Sequence, residues 1–150
     1  MDIRFVAGVA VITTDPTHDK DLFVGALGLP LRPPVSVPGS EYVYSEDVEG
    51  VKHFGVWPLK EAAQTCFGRE TWPDTHLVPQ ATIEFEVDDV EAAAQELIDR
   101  GYRLVHAART EPWQQVVARF QSADGLLVGI CSTPWMRERV HRPKNTRTSA

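Results

Sequence analysis

Cysteine is scarce in this 150-residue chain. Its two residues, Cys66 and Cys131, make neither a disulfide framework nor a C-x-x-C zinc pattern. No apolar run approaches the ~20 residues of a membrane span. No basic segment followed by an apolar core opens the chain, so neither an anchor nor a secretory leader is expected. The G-x-G-x-x-G, Walker, H-E-x-x-H and G-x-S-x-G patterns are all missing, which removes support for nucleotide-dependent and serine-hydrolase chemistry. Positive charge is also short: 15 Lys+Arg stand against 21 Asp+Glu. Residues 136–150 hold five basic and one acidic residue, so 1–135 carries ten basic and twenty acidic, a net of −10. An acidic body argues against nucleic acid as a partner. It mildly favours a cationic ligand, while plain solubility accounts for it more simply. A cytoplasmic location is expected. The basic tail 136–150 has few apolar residues and no periodicity, and reads as disordered.

What is present is a repeat. The length fits one domain, or one domain made of two similar halves. The clearest helix is "DDVEAAAQELIDRGY" (88–102), with Asp88 and Glu91 at capping-box spacing and an apolar stripe of Val90, Ala93, Ala94, Leu97 and Ile98. Before it, "ATIEFEV" alternates Ile83, Phe85 and Val87 against Thr82, Glu84 and Glu86, as a half-buried strand does. The N-terminus repeats the arrangement. "RFVAGVAVITTD" reads as a strand, Asp15 as an N-cap with Pro16 at the first helical position, and Leu22, Phe23 and Leu27 as the helix face. Asp15 and Asp89 lie 74 positions apart. Three strand-like runs follow each helix, near 31–37, 41–48 and 51–58, then near 103–109, 114–122 and 126–132. "FGV" (54–56) matches "VGI" (128–130) at the same offset of 74. The expected fold is α+β: two tandem β-α-β-β-β modules, 1–59 and 79–135, forming a curved mixed sheet around a cleft, joined by a linker 60–78 with a short helix near 60–66.

This paired layout resembles the vicinal oxygen chelate superfamily, which includes glyoxalase I, extradiol dioxygenases and bleomycin-resistance proteins. "DLFVGALGLPL" (21–31) is similar to the family's first helix running into its second strand. "IEFEVDDVEAAAQELIDRGY" (83–102) resembles the start of the second module and "SADGLLVGI" (122–130) its closing turn and strand. The resemblance implies that one inward residue on the first and last strand of each module would ligate a divalent metal. Those positions here are Gly8, Gly55, Thr82 and Gly129. Glycine offers no donor and a neutral hydroxyl is a poor ligand for zinc, iron or nickel. No metal and no cofactor is therefore expected. The three glycines either floor the cleft with bare backbone or relieve crowding in a curved sheet.

The site residues expected to line the cleft are His53, Gly55, Trp57, Glu84, Trp113 and Arg119. His53 is a candidate general base, a displaced ligand or a hydrogen-bonding group. Arg119 is expected to face inward, since Val116, Ala118 and Phe120 take the core side, and to pair with Glu84. His53 and Glu84 are the only catalytic candidates. Tyr42 and Tyr44 alternate on one strand, Trp135 follows the last strand, and Trp72 belongs to the linker. Cys66 and Cys131 have no activating neighbour in sequence. His18, His76, His106 and His141 form no ligand spacing with one another.

Two functions stay open on these residues. One is a metal-free protein that binds or sequesters a small aromatic or cationic compound. The resemblance to bleomycin-resistance proteins adds antibiotic resistance and a homodimer with clefts at its interface. The other is a glyoxalase-like lyase, isomerase or dioxygenase using a shifted metal site or His53/Glu84 acid–base chemistry. A third, an accessory module without ligand, would have its cleft filled by its own side chains.

Overall fold

The computed structural model describes residues 1–139. Seven strands form one mixed sheet in the order β2-β3-β1-β4-β7-β6-β5. They are β1 (Phe5–Thr13), β2 (Val43–Ser45), β3 (Phe54–Pro58), β4 (Ala81–Glu86), β5 (Leu104–Thr110), β6 (Val116–Gln121) and β7 (Leu127–Ser132). The helices are α1 (Pro16–Lys20), α2 (Leu59–Phe67), α3 (Val90–Asp99) and α4 (Pro134–Arg139). A π-helical turn over Asp21–Ala26 prolongs α1, closed by the Leu27 amide donating to Leu22 O at 2.9 Å.

The repeat is written into the strand register. β1 runs parallel to β3 with Ala10 opposite Gly55, and β4 runs parallel to β7 with Glu84 opposite Gly129. Both members shift by 74 from one module to the other. β1 and β4 meet antiparallel at the centre, where Gly8 faces Glu84 and Ala10 faces Thr82, and these two pairs exchange under the same offset. The two modules are thus related by a pseudo-twofold axis between β1 and β4.

Each face of the sheet has its own cover. On the convex side, α3 lays Val90, Ala93 and Ala94 on Ala118, Phe120 and Ile130. Phe23 of the π-helical turn packs with Leu31, Val43 and Val56. On the concave side, α2 covers one end through Ala62, Ala63 and Cys66, packed with Ile12, Trp72 and Leu127. At the other end α4 inserts Met136 against Ala7, Val117 and Cys131. The middle of the concave face stays open.

Three expectations need correction. The run 31–37 is not a strand; only an isolated bridge, Arg32 to Tyr44, remains of it. Pro30, Pro33 and Pro34 carry no N–H for a ladder, so Leu31 is buried while Val35 is 99% exposed. Asp89, not Asp88, caps α3, its carboxylate accepting from the Ala92 amide at 3.0 Å. Asp88 instead binds Arg4 at 2.6 Å and Arg137 at 2.8 Å. The expectation of disorder from residue 136 onward does not hold at its start. Residues 136–139 belong to α4, held by Arg137 donating to the fully buried Glu86 carboxylate at 2.9 Å and to Val87 O at 2.7 Å. Residues 140–150 lie outside the described residues.

Candidate functional site

The open middle of the concave face is a cleft of about 770 Å³. Its lining includes His53, Trp57, Glu84, Trp113 and Arg119, together with Tyr42, Tyr44, Glu46, Glu61, Thr82, Gln115 and Trp135. Five of the six expected site residues therefore reach it. Gly55 does not, because it is covered.

The cover is Tyr42. A Cβ on Gly55 would lie 2.7 Å from both Cε2 and Oη of the Tyr42 ring. Tyr42 stands just before β2, on the strand beside Gly55, and lays its ring into the gap. The same happens in the second module, where a Cβ on Gly129 would lie 2.8 Å from Glu84 Cγ. Over Gly8 the nearest atoms belong to His53 at 3.5 Å. Gly55 and Gly129 do not floor the cleft with bare backbone; they are seats for Tyr42 and Glu84, whose side chains form the floor there, while Gly8 lines the cleft.

The seated side chains begin two networks. In module one, Tyr42, Tyr44 and His53 stack, with Tyr44 and His53 ring centroids 5.0 Å apart at 10°. The Tyr42 hydroxyl is hydrogen-bonded to His53 Nε2. Burial, with the Glu84 carboxylate adding to it, pushes the Tyr42 phenol above its ordinary pKa, so it stays protonated. Glu46 accepts from the Trp135 indole at 3.3 Å. Glu61 accepts from Ser40 Oγ and the Glu41 amide.

In module two, Glu84 accepts from Gln115 Nε2 at 2.6 Å and from Arg119 Nη2 at 3.4 Å. The anticipated Glu84–Arg119 pair is present, with Arg119 only 1% exposed. Its guanidinium lies 5.5 Å from the Trp57 ring centroid. Arg119 Nη1 donates to His106 Nε2 at 2.9 Å, while His106 Nδ1 donates to Ala107 O at 2.9 Å. This fixes the tautomer, and burial beside Arg119 lowers the His106 pKa to about 4. Behind it, Arg109 donates to Glu111 at 2.9 Å. The hairpin that carries Trp113 and Gln115 turns through Gln114 at φ 73° and closes with the Glu111 amide on Gln115 O at 2.7 Å. The Trp113 indole donates to Gln115 Oε1 at 2.9 Å, so that tryptophan helps orient the amide.

Four residues of this arrangement escaped the sequence reading: Gln115, His106, Glu46 and Glu61. His106 was hidden by register shifts on both sides of it in β5. Gln115 had a signal, since it is two residues from Trp113 in a tight turn and immediately precedes a strand. Two readings outside the cleft can be placed, whereas Leu22 and Leu27, expected on a buried helix face, are exposed. Trp72 clamps the linker through its indole on Leu77 O at 2.9 Å. Cys66 and Cys131 are buried thiols pushed above the ordinary range by that burial, unsuited to nucleophilic work.

The residues at the four positions implied by the resemblance do not fit a divalent metal. At the four ligand positions implied by the resemblance, Gly8, Gly55 and Gly129 have no side-chain donor, and Thr82 offers a neutral hydroxyl. The nearby Glu84 carboxylate is engaged by Gln115 and Arg119. Among the described residues, no three His, Cys, Asp or Glu side chains converge as a ligand set would.

No protein-family model matches this sequence, and no curated protein matches it. Solved structures do. A glyoxalase/bleomycin resistance protein/dioxygenase superfamily member from Vibrio splendidus 12B01 is 18% identical, with 88% of this chain and 100% of that one covered at a TM-score of 0.54. A hypothetical protein from Bacillus halodurans C-125 is 19% identical over 86% of this chain and 94% of its own, again at 0.54. Methylmalonyl-CoA epimerase of Streptomyces coelicolor, in complex with 2-nitronate-propionyl-CoA, is 14% identical over 89% and 96%, at 0.54. The paired modules, the central β1–β4 contact and these likenesses together give the chain the vicinal oxygen chelate fold.

Proposed function

We propose that this chain is a metal-free small-molecule binding protein, holding an aromatic or cationic compound in the cleft between its modules. The observation that carries the reading is the cleft itself. About 770 Å³ of open volume is lined by the rings of Tyr42, Tyr44, His53, Trp57, Trp113 and Trp135, and the size suits a single small ligand. Rings of this kind stack on planar molecules and attract cations. The carboxylates Glu46, Glu61 and Glu84 in the same lining add to that attraction. An open cleft also weighs against a module whose side chains fill it. Binding without turnover would amount to sequestration, and the resemblance to bleomycin-resistance proteins extends this to a homodimer and to drug resistance. No helix among the described residues is long and apolar enough to cross a membrane.

The test is a titration of tryptophan fluorescence with a planar aromatic cation, acridinium, and with its neutral parent. Saturable quenching that weakens when Trp57 or Trp113 is replaced by Leu supports the reading. A parallel calorimetric titration of chelator-stripped protein with zinc, nickel, manganese and ferrous iron tests the competing enzyme. Stoichiometric metal binding abolished by His53→Ala would favour a lyase, isomerase or dioxygenase with a shifted metal site, and would overturn the metal-free reading.

A further inference from the structure

We infer that Arg119 and Thr82 form a subsite for a carboxylate on the cleft ligand. The inference rests on the binding reading above and narrows the ligand to an aromatic carboxylate.

Arg119 is a buried cation whose two paired carboxylates, Glu84 and Glu111, each hold a shorter partner elsewhere. A guanidinium carries five N–H donors in a fork that suits carboxylates. Here Nη1 serves the neutral His106 ring at 2.9 Å. Nη2 reaches Glu84 at only 3.4 Å, and Glu111 Oε1 stands 3.7 Å from Nη1. Both carboxylates have shorter partners elsewhere: Glu84 takes Gln115 at 2.6 Å, and Glu111 takes Arg109 at 2.9 Å. Among the described residues, Arg119 Nε has no hydrogen-bond partner. Among the same residues the hydroxyl of Thr82, a residue 3% exposed, has none either. Both residues line the cleft. Buried donors are nearly always satisfied, because leaving one unpaired is destabilising. The two atoms are themselves buried behind the cleft lining, and ligand oxygens that reach them would satisfy both donors.

The surroundings define the rest of the ligand. The Trp57 ring lies over the guanidinium and is itself part-exposed, so one side chain controls access. Gln115, oriented by Trp113, borders the same place with its amide. A ring carried by the ligand would lie among Trp57, Tyr44 and Trp113 while its carboxylate takes Arg119 Nε and Thr82 Oγ1.

The experiment compares three isosteres on the intact protein by calorimetry: 2-naphthoate, 2-naphthamide and 2-naphthylmethylammonium. The carboxylate is expected to bind at least about tenfold more tightly than the amide, the size of a charge-assisted hydrogen bond. Thr82→Val, which keeps the side-chain volume, should cut that ratio several-fold, and Arg119→Lys should bring it close to one. Thr82→Val also covers the case in which the arginine variant fails to fold. Equal binding of carboxylate and amide, or a ratio unmoved by Thr82→Val, overturns the inference. If the ammonium binds and the carboxylate does not, the inference falls and the binding reading stands. If none of the three binds, both fall.

Discussion

The seating of Tyr42 on Gly55 can be tested with a single methyl group. Gly55→Ala normally helps a strand, since glycine in mid-strand costs roughly 0.5–1 kcal/mol relative to alanine. Here the new Cβ would stand 2.7 Å from two atoms of the Tyr42 ring and 3.0 Å from a third, well inside contact distance. The obstacle is an aromatic ring backed by Tyr44, so it must move as a body. Overpacking of this kind costs about 1–3 kcal/mol, and pulling the Tyr42 hydroxyl from His53 costs about 1 kcal/mol more. Set against the strand gain, the net is a loss of about 1–3 kcal/mol, or roughly 3–10 °C in Tm for a domain of this size. Thermal unfolding followed by circular dichroism reads it directly. The control is the double-mutant cycle with Tyr42→Ala, in which Gly55→Ala should cost nothing and could gain the ordinary strand increment. A Gly55→Ala variant that melts at or above the parent refutes the argument. So does a cost that persists after Tyr42 is truncated.

Gly129→Ala should lose a similar ~1–3 kcal/mol, because its Cβ would meet Glu84 at Cγ rather than at a mobile tip; Gly8→Ala, whose nearest contacts are an ordinary 3.5 Å, should be neutral or gain up to about 1 kcal/mol in the same melting assay. Glu86→Ala should cost about 2–3 kcal/mol in denaturant unfolding. It strands the buried Thr133 amide, which now donates to Glu86 at 2.8 Å, whereas Arg137 keeps Asp88 and Val87 O. Stability should also depend on His106. Its folded pKa, about 4, lies below the ordinary 6.5, so the unfolded chain takes up the proton first. Stability is then complete above about pH 6.5 and falls by up to about 3 kcal/mol as pH drops toward 4. His106→Gln should flatten that limb of a stability-against-pH curve, and an unchanged limb would place the titration elsewhere.

The fold was legible because the repeat is recorded twice, once in helix caps and once in strand pattern. An offset of 74 between Asp15 and Asp89 reappears between Ala10–Gly55 and Glu84–Gly129 in the ladders. The segment 31–37 was misread for a local reason. Leu31, Val35 and Val37 alternate as a strand does, but the prolines among them remove the donors a strand needs, and alternation alone cannot register a missing N–H. The inward turn of Arg119 was readable from its apolar neighbours in β6. The inward turn of His106 was not, because period-two reasoning fails across the irregularities that flank it in β5.

The site was half legible because it lies where the two modules stop resembling each other. The backbone places Tyr44 opposite Gly55 in one module and Arg119 opposite Gly129 in the other, the same station in the sheet. One module fills that station with a stacked ring and the other with a buried cation. Mid-strand glycine is what permits either solution, since a large neighbour can fold over it only where no Cβ stands. In the first half the neighbour is Tyr42, reaching across from the adjacent strand. In the second it is Glu84, reaching across to Arg119. A glycine in a strand therefore signals that something comes close to that backbone. The sequence leaves open whether the visitor is a ligand or a side chain of the protein itself, because the answer depends on residues 13 and 45 positions away. Here the visitor is internal, and the stacked rings of one module and the buried, partly satisfied cation of the other give the cleft two chemically distinct sides.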